Sequence, residues 1–288
     1  MMVLIILSAV LMLAFQCAVS YVVDDFSKCS EFFLDSQSPH IPAVLEGGKS
    51  QNQNRYKIIC QGANKVYTFA TLYNTTSRIP VFSAYKYSGK GKFSRKVRKQ
   101  HWKIEPQLQQ NEQATNEDYS EENREKMNVN RGHLFPVCHA KDVTTAESTF
   151  ILTNAVPQKV SFNNGSWAHM EQCTKQLMDK HCLDTNNKVS AYVLTGAVPG
   201  NNKLNNRVNI PSMMWMAFCC CDSKKNCFSK AHWAPNEDDE NKNKIQMKSL
   251  KELQDYLKNT LGKELKLFND KCLTDKSVKT NLPPMCKV

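Results

Sequence analysis

Short apolar segments separated by polar turns divide the chain into candidate strands. Residues 66–73 and 79–87 are rich in β-branched and aromatic side chains, and a short polar segment separates them. This pattern predicts two strands joined by a turn. Residues 150–152, 191–195 and 213–219 are further apolar runs, and each of them predicts a core strand.

Two segments carry apolar side chains at the spacing of a helix. The first, residues 165–182, predicts a helix between two of these strands. The second begins with the capping-box sequence Ser249-Leu-Lys-Glu252, and its leucines keep helical spacing up to Gly262, a plausible stop. We expect this C-terminal helix to pack on the core and the acidic residues 237–240 before it to form an exposed loop.

The N-terminus carries an apolar run that is too short to span a bilayer. Residues 3–15 are hydrophobic or small, and Ala18-Val-Ser20 supplies the small residues that signal peptidase accepts. We therefore predict a signal peptide over residues 1–20 and a secreted, extracellular protein that begins at Tyr21. A buried helix or a membrane anchor is the alternative interpretation of the run. Because no second apolar segment reaches membrane-spanning length, we expect no membrane span in the mature chain.

Eleven cysteines remain after the predicted cleavage. In an oxidising compartment this number predicts up to five disulfides and one leftover thiol, although the spacing does not give the pairing. The run Cys219-Cys-Cys221, with Cys227 and His232 beyond it, superficially resembles a zinc site. We favour disulfides, because secretion favours them and adjacent cysteines cannot all face one metal easily.

A net charge of +11 adds a candidate class of partner. A basic secreted protein often binds a polyanion such as nucleic acid, a heparin-like sugar or an anionic surface. Residues 86–103 hold eight lysines and arginines with no acid between them. We expect Arg95, Arg98, Lys99 and Trp102 to contact a polyanionic substrate, since an aromatic ring beside such charges offers a stacking surface. A solvated basic loop is the alternative.

Three short segments contain residue types that phosphodiester hydrolysis requires. They are Asn130-Arg-Gly-His133, Asn154-Ala-Val-Pro-Gln158, and a segment with Asn163, Trp167 and Glu171 at four-residue intervals. Hydrolysis needs a base for water, neutralisation of the charge on the phosphorane, and stabilisation of the leaving oxygen. A neutral imidazole can act as the base, and a hard cation held by oxygen ligands can do the other two jobs.

The third segment has a spacing that suits a metal site on a helix. Asn163 and Glu171 are eight residues apart, a little over two helical turns, so their side chains project from a broadly similar face. An amide oxygen at the helix start can bind a metal, while Glu171 reaches the metal's water molecules. Trp167, halfway between them, is predicted to anchor the helix in the core. The alternatives are a capping role for Asn163, an exposed helical Glu171 and a simple turn histidine at His133.

Together these motifs resemble those of the DNA/RNA non-specific endonucleases of the ββα-metal class. That family has Asp-Arg-Gly-His, then an Asn-x-x-Pro-Gln element, then Asn-x-x-x-Trp-x-x-x-Glu, and this chain has Arg-Gly-His and the two later elements in the same order. The flanking segments 78–85, 102–108, 131–140 and 192–200 look like the endonuclease domain-containing 1 group of vertebrates. The resemblance runs from about residue 67 to residue 218.

The resemblance implies a fold and an activity. The fold is of the mixed α+β class, with a central antiparallel sheet flanked by helices and an active site on a ββα-metal finger. The activity is hydrolysis of DNA and RNA with little sequence specificity. We predict that the nuclease domain covers residues 21–235 and that residues 236–288 form a helical, disulfide-tied extension.

The resemblance also implies a role for each site residue. His133 is the general base, and Asn163 is the direct protein ligand of Mg²⁺ or of another divalent cation such as Mn²⁺. Glu171 orients metal-bound water. Asn154 and Arg131 position or neutralise the phosphate.

Two positions depart from the family pattern. Asn130 stands where the family has an aspartate, so any tuning of the site by that carboxylate is lost. Gln100 stands where the family has a phosphate-binding arginine, two residues before Trp102. These departures make a weakly active or inactive secreted nucleic-acid-binding protein the alternative function. Other hydrolase classes are disfavoured, because no nucleophile-elbow serine and no Walker-type loop is present.

Asn74 and Asn164 each begin a glycosylation sequon. A glycan on Asn164 would obstruct a polymeric substrate at the predicted site, so we expect this residue to be unmodified, or its modification to lower activity.

Overall fold

A computed structural model describes residues 21–63, 66–89, 91, 100–222, 226–239, 244–273 and 286. The predicted signal peptide lies outside the described residues, and so do Arg95, Arg98 and Lys99 of the predicted substrate contacts.

The described residues form thirteen β-strands. In chain order they are β1 (Tyr21–Val23), β2 (Leu45–Glu46), β3 (Lys49–Ser50), β4 (Tyr56–Ala63), β5 (Val66–Asn74), β6 (Ile79–Tyr87), β7 (Val129–His133), β8 (Ala155–Lys159), β9 (Ala191–Val198), β10 (Lys203–Leu204), β11 (Val208–Asn209), β12 (Met213–Cys221) and β13 (Cys227–Pro235).

Five α-helical segments accompany these strands. They are α1 (Glu121–Met127), α2 (Val143–Ser148), the single turn α3 (Val160–Phe162), α4 (Ala168–His181) and α5 (Leu250–Leu261). The helix predicted over residues 165–182 is confirmed as α4, and a wide π-type turn (Asn163–Trp167) connects it to α3.

Seven strands pair into one antiparallel sheet in the order β1-β4-β5-β6-β9-β12-β13. The predicted strands over residues 66–73, 79–87, 191–195 and 213–219 are confirmed as β5, β6, β9 and β12. The mixed α+β class with a central antiparallel sheet is confirmed as well. The strand predicted at residues 150–152 is wrong: this segment makes one parallel bridge, from Ile151 to Lys103, and then enters a 3₁₀ turn.

Both faces of the central sheet are buried. Along β12, Met214, Met216 and Phe218 join one apolar cluster, whereas the alternating residues Trp215 and Ala217 join the other. A strand covered on both sides needs apolar side chains at successive positions, and this requirement explains its uninterrupted apolar sequence. The first cluster lies against β7, β8 and α4, and the second lies against the N-terminal segment and α5.

The C-terminal helix packs on the sheet through one apolar stripe. Leu250, Leu253 and Leu257 of α5 are buried in the second cluster, and full burial of a leucine is worth roughly 1.5–3 kcal/mol. Ser249 and Glu252 form the predicted capping box, and Gly262 ends the helix at φ +67°. No helix among the described residues is both long enough and apolar enough to cross a membrane.

Five disulfides join ten of the predicted mature cysteines, so the predicted maximum is confirmed. The pairs are Cys29–Cys60, Cys173–Cys286, Cys182–Cys220, Cys219–Cys272 and Cys221–Cys227. The thiol is on Cys138. Although the sulfurs of Cys219, Cys221 and Cys227 lie within 4.8 Å of one another, all three are in disulfides, which removes the thiolates that zinc would need.

Candidate active site

The three predicted motifs build one ββα unit on a face of the central sheet. Strand β7 ends at His133, and its antiparallel partner β8 places Ala155 opposite that histidine. Strand β8 continues through α3 and the wide turn Asn163–Trp167 into α4, which carries Glu171 in its first turn. Phe162 and Trp167 are buried against each other with ring centroids 5.5 Å apart, and they fix the turn to the core.

The His133 ring is enclosed between two aromatic side chains. Its centroid lies 4.6 Å from that of Trp102 and 4.8 Å from that of Phe150. Nε2 is enclosed and has no hydrogen-bond partner among the described residues. Burial lowers the pKa of His133 to about 3, because the charged imidazolium is poorly solvated there. The ring is therefore neutral at physiological pH, which is the state that a general base needs.

Gly132, next to His133, is required by close packing across the hairpin. A Cβ atom at this position would lie 2.1 Å from Oε1 of Gln158 and 2.6 Å from its Cβ. Neither distance allows a side chain, so glycine is needed between Arg131 and His133. Gln158 is completely buried, and its amide has no hydrogen-bond partner among the described residues.

Asn154 holds the chain directly after His133 in place. Its Oδ1 accepts hydrogen bonds from the Ser83 hydroxyl (2.9 Å) and from the backbone N–H of Phe135 (3.0 Å). Its Nδ2 donates to the carbonyls of Thr149 (3.0 Å) and Phe135 (3.2 Å). The side chain is fully buried, and its oxygen and both amide hydrogens are engaged by protein groups.

Arg131 points toward the segment that precedes α1. Its Nη2 donates to the carbonyl of Tyr119 at 3.0 Å and to Oδ1 of Asn116 at 3.4 Å. The guanidinium carbon lies 5.3 Å from the Tyr119 ring centroid. Burial lowers the pKa of Arg131, and the nearby charge of Arg124 lowers it further.

Glu171 is half-buried against the segment that follows His133. The Cys138 thiol lies 3.9 Å from its Oε2, and Nε2 of His139 lies 2.9 Å from its backbone carbonyl. Burial raises the pKa of the Glu171 carboxyl to about 8. Among the described residues, no lysine or arginine forms an ion pair with this carboxyl.

The short segment 134–139 connects the two ends of the candidate site. It starts directly after His133 and docks on α4 through its contacts with Glu171, and His139 is anchored on its other side by the Tyr85 hydroxyl at 2.8 Å. A cleft of about 400 Å³ opens beside Phe135 in this segment, and its lining holds charges of both signs, Lys86 and Lys141 together with Glu31 and Asp35.

The donor set on the ββα unit suits a hard divalent cation. Asn163 is partly exposed, and no described residue forms a hydrogen bond with its side chain. Glu171 adds a carboxylate whose ionisation a cation would favour, since burial alone opposes it. Amide and carboxylate oxygens are the ligand types that Mg²⁺ and Ca²⁺ take. These residues therefore fit a divalent metal.

The two departures from the family pattern have different surroundings. Nε2 of Gln100 donates to Oε1 of Glu147 at 3.3 Å, so this amide is engaged by a protein carboxylate. Asn130 pairs with Gln158 on the face of the hairpin that His133 does not share.

One group of contacts at the site has no local signal in the sequence. The exposed loop predicted at residues 237–240 is confirmed for Glu237 and Asp238, whereas residue 240 lies outside the described residues. Asp238 and Asp239 nevertheless bond to the ββα unit through residues such as Ser161 and Ser166. These partners are more than 70 residues apart in sequence, and no local pattern reports such a contact.

The two sequons differ in access. Asn74 is buried, and its Oδ1 accepts hydrogen bonds from the backbone of Thr76 (3.0 Å) and Ser77 (3.1 Å). Asn164 is exposed in the wide turn, next to the predicted metal ligand Asn163.

Known proteins with similar sequences are nucleases or carry an endonuclease name. The chain is 28% identical over 217 residues to the human endonuclease domain-containing 1 protein, a match that covers 68% of this chain and 39% of that protein. It is 30% identical over 150 residues to a nuclease of Serratia marcescens, covering 49% of this chain and 52% of that protein. The chain thus spans about two fifths of the first relative's length and about half of the second's.

A solved structure shows a similar fold. A chain in the crystal structure of the EndoG/EndoGI complex, which describes how EndoG is inhibited, superposes with a TM-score of 0.56. The two chains are 16% identical, and the match covers 69% of this chain and 83% of the other. At this identity the likeness concerns the fold alone. The sequence model of the DNA/RNA non-specific endonucleases matches residues 50–264, and the chain belongs to that family.

Proposed function

We propose that this chain is a secreted, divalent-metal-dependent endonuclease that hydrolyses phosphodiester bonds of DNA and RNA with little sequence specificity. One observation carries the proposal. A single ββα unit presents a neutral imidazole at the end of one strand and a carboxyl on the following helix, with an asparagine amide between them in sequence. Among the described residues, no lysine or arginine pairs with that carboxyl and no group bonds to that amide.

His133 is the proposed general base. Its Nε2 is enclosed, which leaves Nδ1 as the nitrogen that can accept a proton from the attacking water. The ring needs no prior deprotonation, because its pKa is far below physiological pH. Trp102 and Phe150 hold the ring in one orientation, and Asn154 fixes the backbone that follows it.

Asn163 and Glu171 are the residues proposed to hold Mg²⁺ or a similar ion such as Mn²⁺. Asn163 would bind the ion directly through its amide oxygen, and Glu171 would orient the surrounding water molecules. When bound, the ion stabilises negative charge on the phosphorane and on the leaving oxygen.

The substrate contacts are proposed to be with the nucleic-acid backbone. Arg95, Arg98 and Lys99 of the basic segment are the residues proposed to contact phosphates. The cleft beside Phe135 is lined by Lys86 and Lys141 but also by Glu31 and Asp35, so it is not assigned to the substrate. Contacts with phosphates attract any nucleic-acid sequence, which is the basis for low specificity. In this proposal Asn154 acts by positioning and not by touching phosphate, because its amide is already engaged. Arg131 and Trp102 are proposed to contact the same stretch of backbone, because Arg131 is on the strand face of His133 and Trp102 packs on the His133 ring.

Secretion is proposed from two features. The apolar run at residues 3–15 has the length and the flanking small residues of a signal peptide. Five disulfides are typical of proteins that fold in an oxidising compartment.

Cleavage of two substrates by purified protein tests the proposed function. We expect the protein to nick supercoiled plasmid and to degrade RNA in the presence of Mg²⁺, and to do neither in EDTA. Mobility-shift assays in EDTA would show that binding survives without the metal. Cleavage in EDTA at the rate measured with Mg²⁺ would contradict a metal-dependent mechanism.

The second candidate function is a secreted nucleic-acid-binding protein with little activity. It is favoured by the surroundings of His133, because an imidazole whose pKa is lowered to about 3 is a weak base. Asn130 replaces the family's aspartate and Gln100 replaces its phosphate-binding arginine, and both replacements also favour low activity. Nucleic-acid binding without cleavage in Mg²⁺ would select this candidate.

A further inference from the structure

Three residues of the loop after β13 form hydrogen bonds with the ββα unit, and Asn236 is the first of them. Its Nδ2 donates to the carbonyl of Pro157 in β8 at 3.0 Å and to that of Pro211 at 2.9 Å. Its Oδ1 accepts from the backbone N–H of Lys159 at 2.9 Å. This buried amide therefore ties the second strand of the unit to the turn that precedes β12.

Asp238 joins the ends of both strands of the unit. Its Oδ1 accepts from Nδ2 of Asn128 at 2.7 Å and from the hydroxyl of Ser161 at 3.1 Å. Its Oδ2 lies 3.4 Å from Nζ of Lys159. Asn128 precedes β7, and Lys159 ends β8, so one carboxylate spans the open end of the strand pair.

Asp239 reaches into the wide turn itself. Its Oδ2 accepts from the backbone N–H of Ser166 at 2.9 Å, and its own N–H donates to the Ser161 hydroxyl at 2.9 Å. The Gly165 backbone is so close that a Cβ atom there would lie 3.0 Å from this carboxylate oxygen. Gly165 also has non-helical dihedral angles (φ −105°, ψ −109°), so this is where the backbone departs from a continuous helix.

We propose that Asp239 is a positioning residue that fixes the wide turn and thereby sets the orientation of Asn163 relative to Glu171. The turn begins at Asn163 and leads into the helix that carries Glu171, and helical hydrogen bonding alone does not determine its shape. A charge-assisted hydrogen bond from a carboxylate to a backbone N–H is about twice as strong as a neutral one, which suits this task. The inference rests on the proposed function, because it presumes that Asn163 binds the metal.

The position of Asp239 explains an acidic loop in a basic protein. Residues that support metal ligands from outside typically change metal affinity about 10–100-fold when they are replaced. Glu237 lies in the same loop, is exposed and carries the same charge, but it forms no bond with the turn among the described residues. Glu237 is therefore a matched control for the loss of one negative charge near the site.

Direct measurement of Mn²⁺ binding to the full chain tests the proposal. Free Mn²⁺ is quantified by electron paramagnetic resonance in the absence of nucleic acid, for the wild type and for Asp239→Ala, Asp239→Asn and Glu237→Ala. We expect Asp239→Ala to weaken Mn²⁺ binding by about tenfold or more. Asp239→Asn should weaken Mn²⁺ binding less than Asp239→Ala does, because an amide oxygen can still accept the Ser166 hydrogen bond but without the strengthening that the charge gives. Glu237→Ala should match the wild type.

Cleavage assays and thermal melting separate the possible failures. If Asp239→Ala does not fold, Ser161→Ala replaces it, since the Ser161 hydroxyl bonds to both aspartates and its loss should weaken Mn²⁺ binding in the same direction. A folded Asp239→Ala that binds Mn²⁺ like the wild type would overturn the positioning role while leaving the proposed function intact. Equal losses in Asp239→Ala and Glu237→Ala would also overturn it, because the effect would then be one of charge. A wild type that neither binds Mn²⁺ nor cleaves would remove the proposed function, and the inference with it.

Discussion

Replacement of His133 by alanine is expected to lower the rate of metal-dependent plasmid nicking by about 10²–10⁴-fold, the usual contribution of a general base. The variant loses the only imidazole in the Arg-Gly-His motif, whereas the groups proposed to hold the metal are untouched. Binding of plasmid in EDTA should be nearly unchanged, because the basic residues remain. The rate constant for the first nick, measured at saturating Mg²⁺, gives the effect.

Two controls make this result specific for proton transfer. His101→Ala removes an exposed histidine close in sequence and should nick plasmid like the wild type. Removal of the His133 ring leaves a space between Trp102 and Phe150, so added imidazole should restore part of the activity of the alanine variant. A folded His133→Ala protein that nicks plasmid at the wild-type rate would refute the assignment of the base.

Replacement of Asn163 by alanine is the change with the second largest expected effect. Its amide oxygen is the proposed direct ligand, so its loss should exceed the 10–100-fold effects typical of outer-sphere residues. At a sub-saturating Mg²⁺ concentration we expect the cleavage rate to fall by at least about 10²-fold. Part of the loss should be recovered at higher Mg²⁺, because the ion is then held by Glu171 and water alone. Rates measured over a Mg²⁺ series show both effects.

The neighbouring asparagine is a matched control for this variant. Asn164 has the same side chain and lies in the same turn, but it is exposed and is not a proposed ligand. Asn164→Ala should therefore keep wild-type activity and the wild-type Mg²⁺ requirement. Equal losses in the two variants would point to a disturbed turn and would count against ligation by Asn163.

Four of the seven strands of the central sheet could be predicted, because they leave a local pattern in the sequence. Strands β5 and β6 are dense in β-branched and aromatic residues, and β12 is a long apolar run. Helix α5 has both of its end signals, the capping box at Ser249 and the glycine at position 262. Each of these signals depends only on residues that are close in sequence, so it can be recognised before the fold is known.

The segment at residues 150–152 shows why apolar runs can mislead. Phe150 is apolar because its ring packs on Trp102 and His133, and not because it belongs to a sheet. Two residues later, Leu152 begins a 3₁₀ turn that ends at Asn154, whose side chain forms buried hydrogen bonds. A short apolar run cannot distinguish a sheet strand from a buried turn that supports a site.

The contacts around the candidate site were beyond prediction for a different reason. The motifs identify His133, Asn163 and Glu171 as candidate site residues. They do not indicate that Trp102 packs on the His133 ring. They also do not indicate that Asp239 accepts a hydrogen bond from the backbone of the wide turn. Both contacts join residues that are distant in sequence, and a single sequence carries no signal for such pairs. The pairing of the cysteines is unpredictable on the same grounds.

The central claim is that one imidazole and one divalent cation share a site on the ββα unit. Anomalous diffraction from crystals of the protein grown or soaked with Mn²⁺ tests it most directly. The account predicts a single strong Mn²⁺ peak at bonding distance from Oδ1 of Asn163, with Glu171 contacting the ion's water molecules and the His133 ring facing the same space. Mn²⁺ bound elsewhere, or a His133 ring turned away from an ion at Asn163, would contradict it.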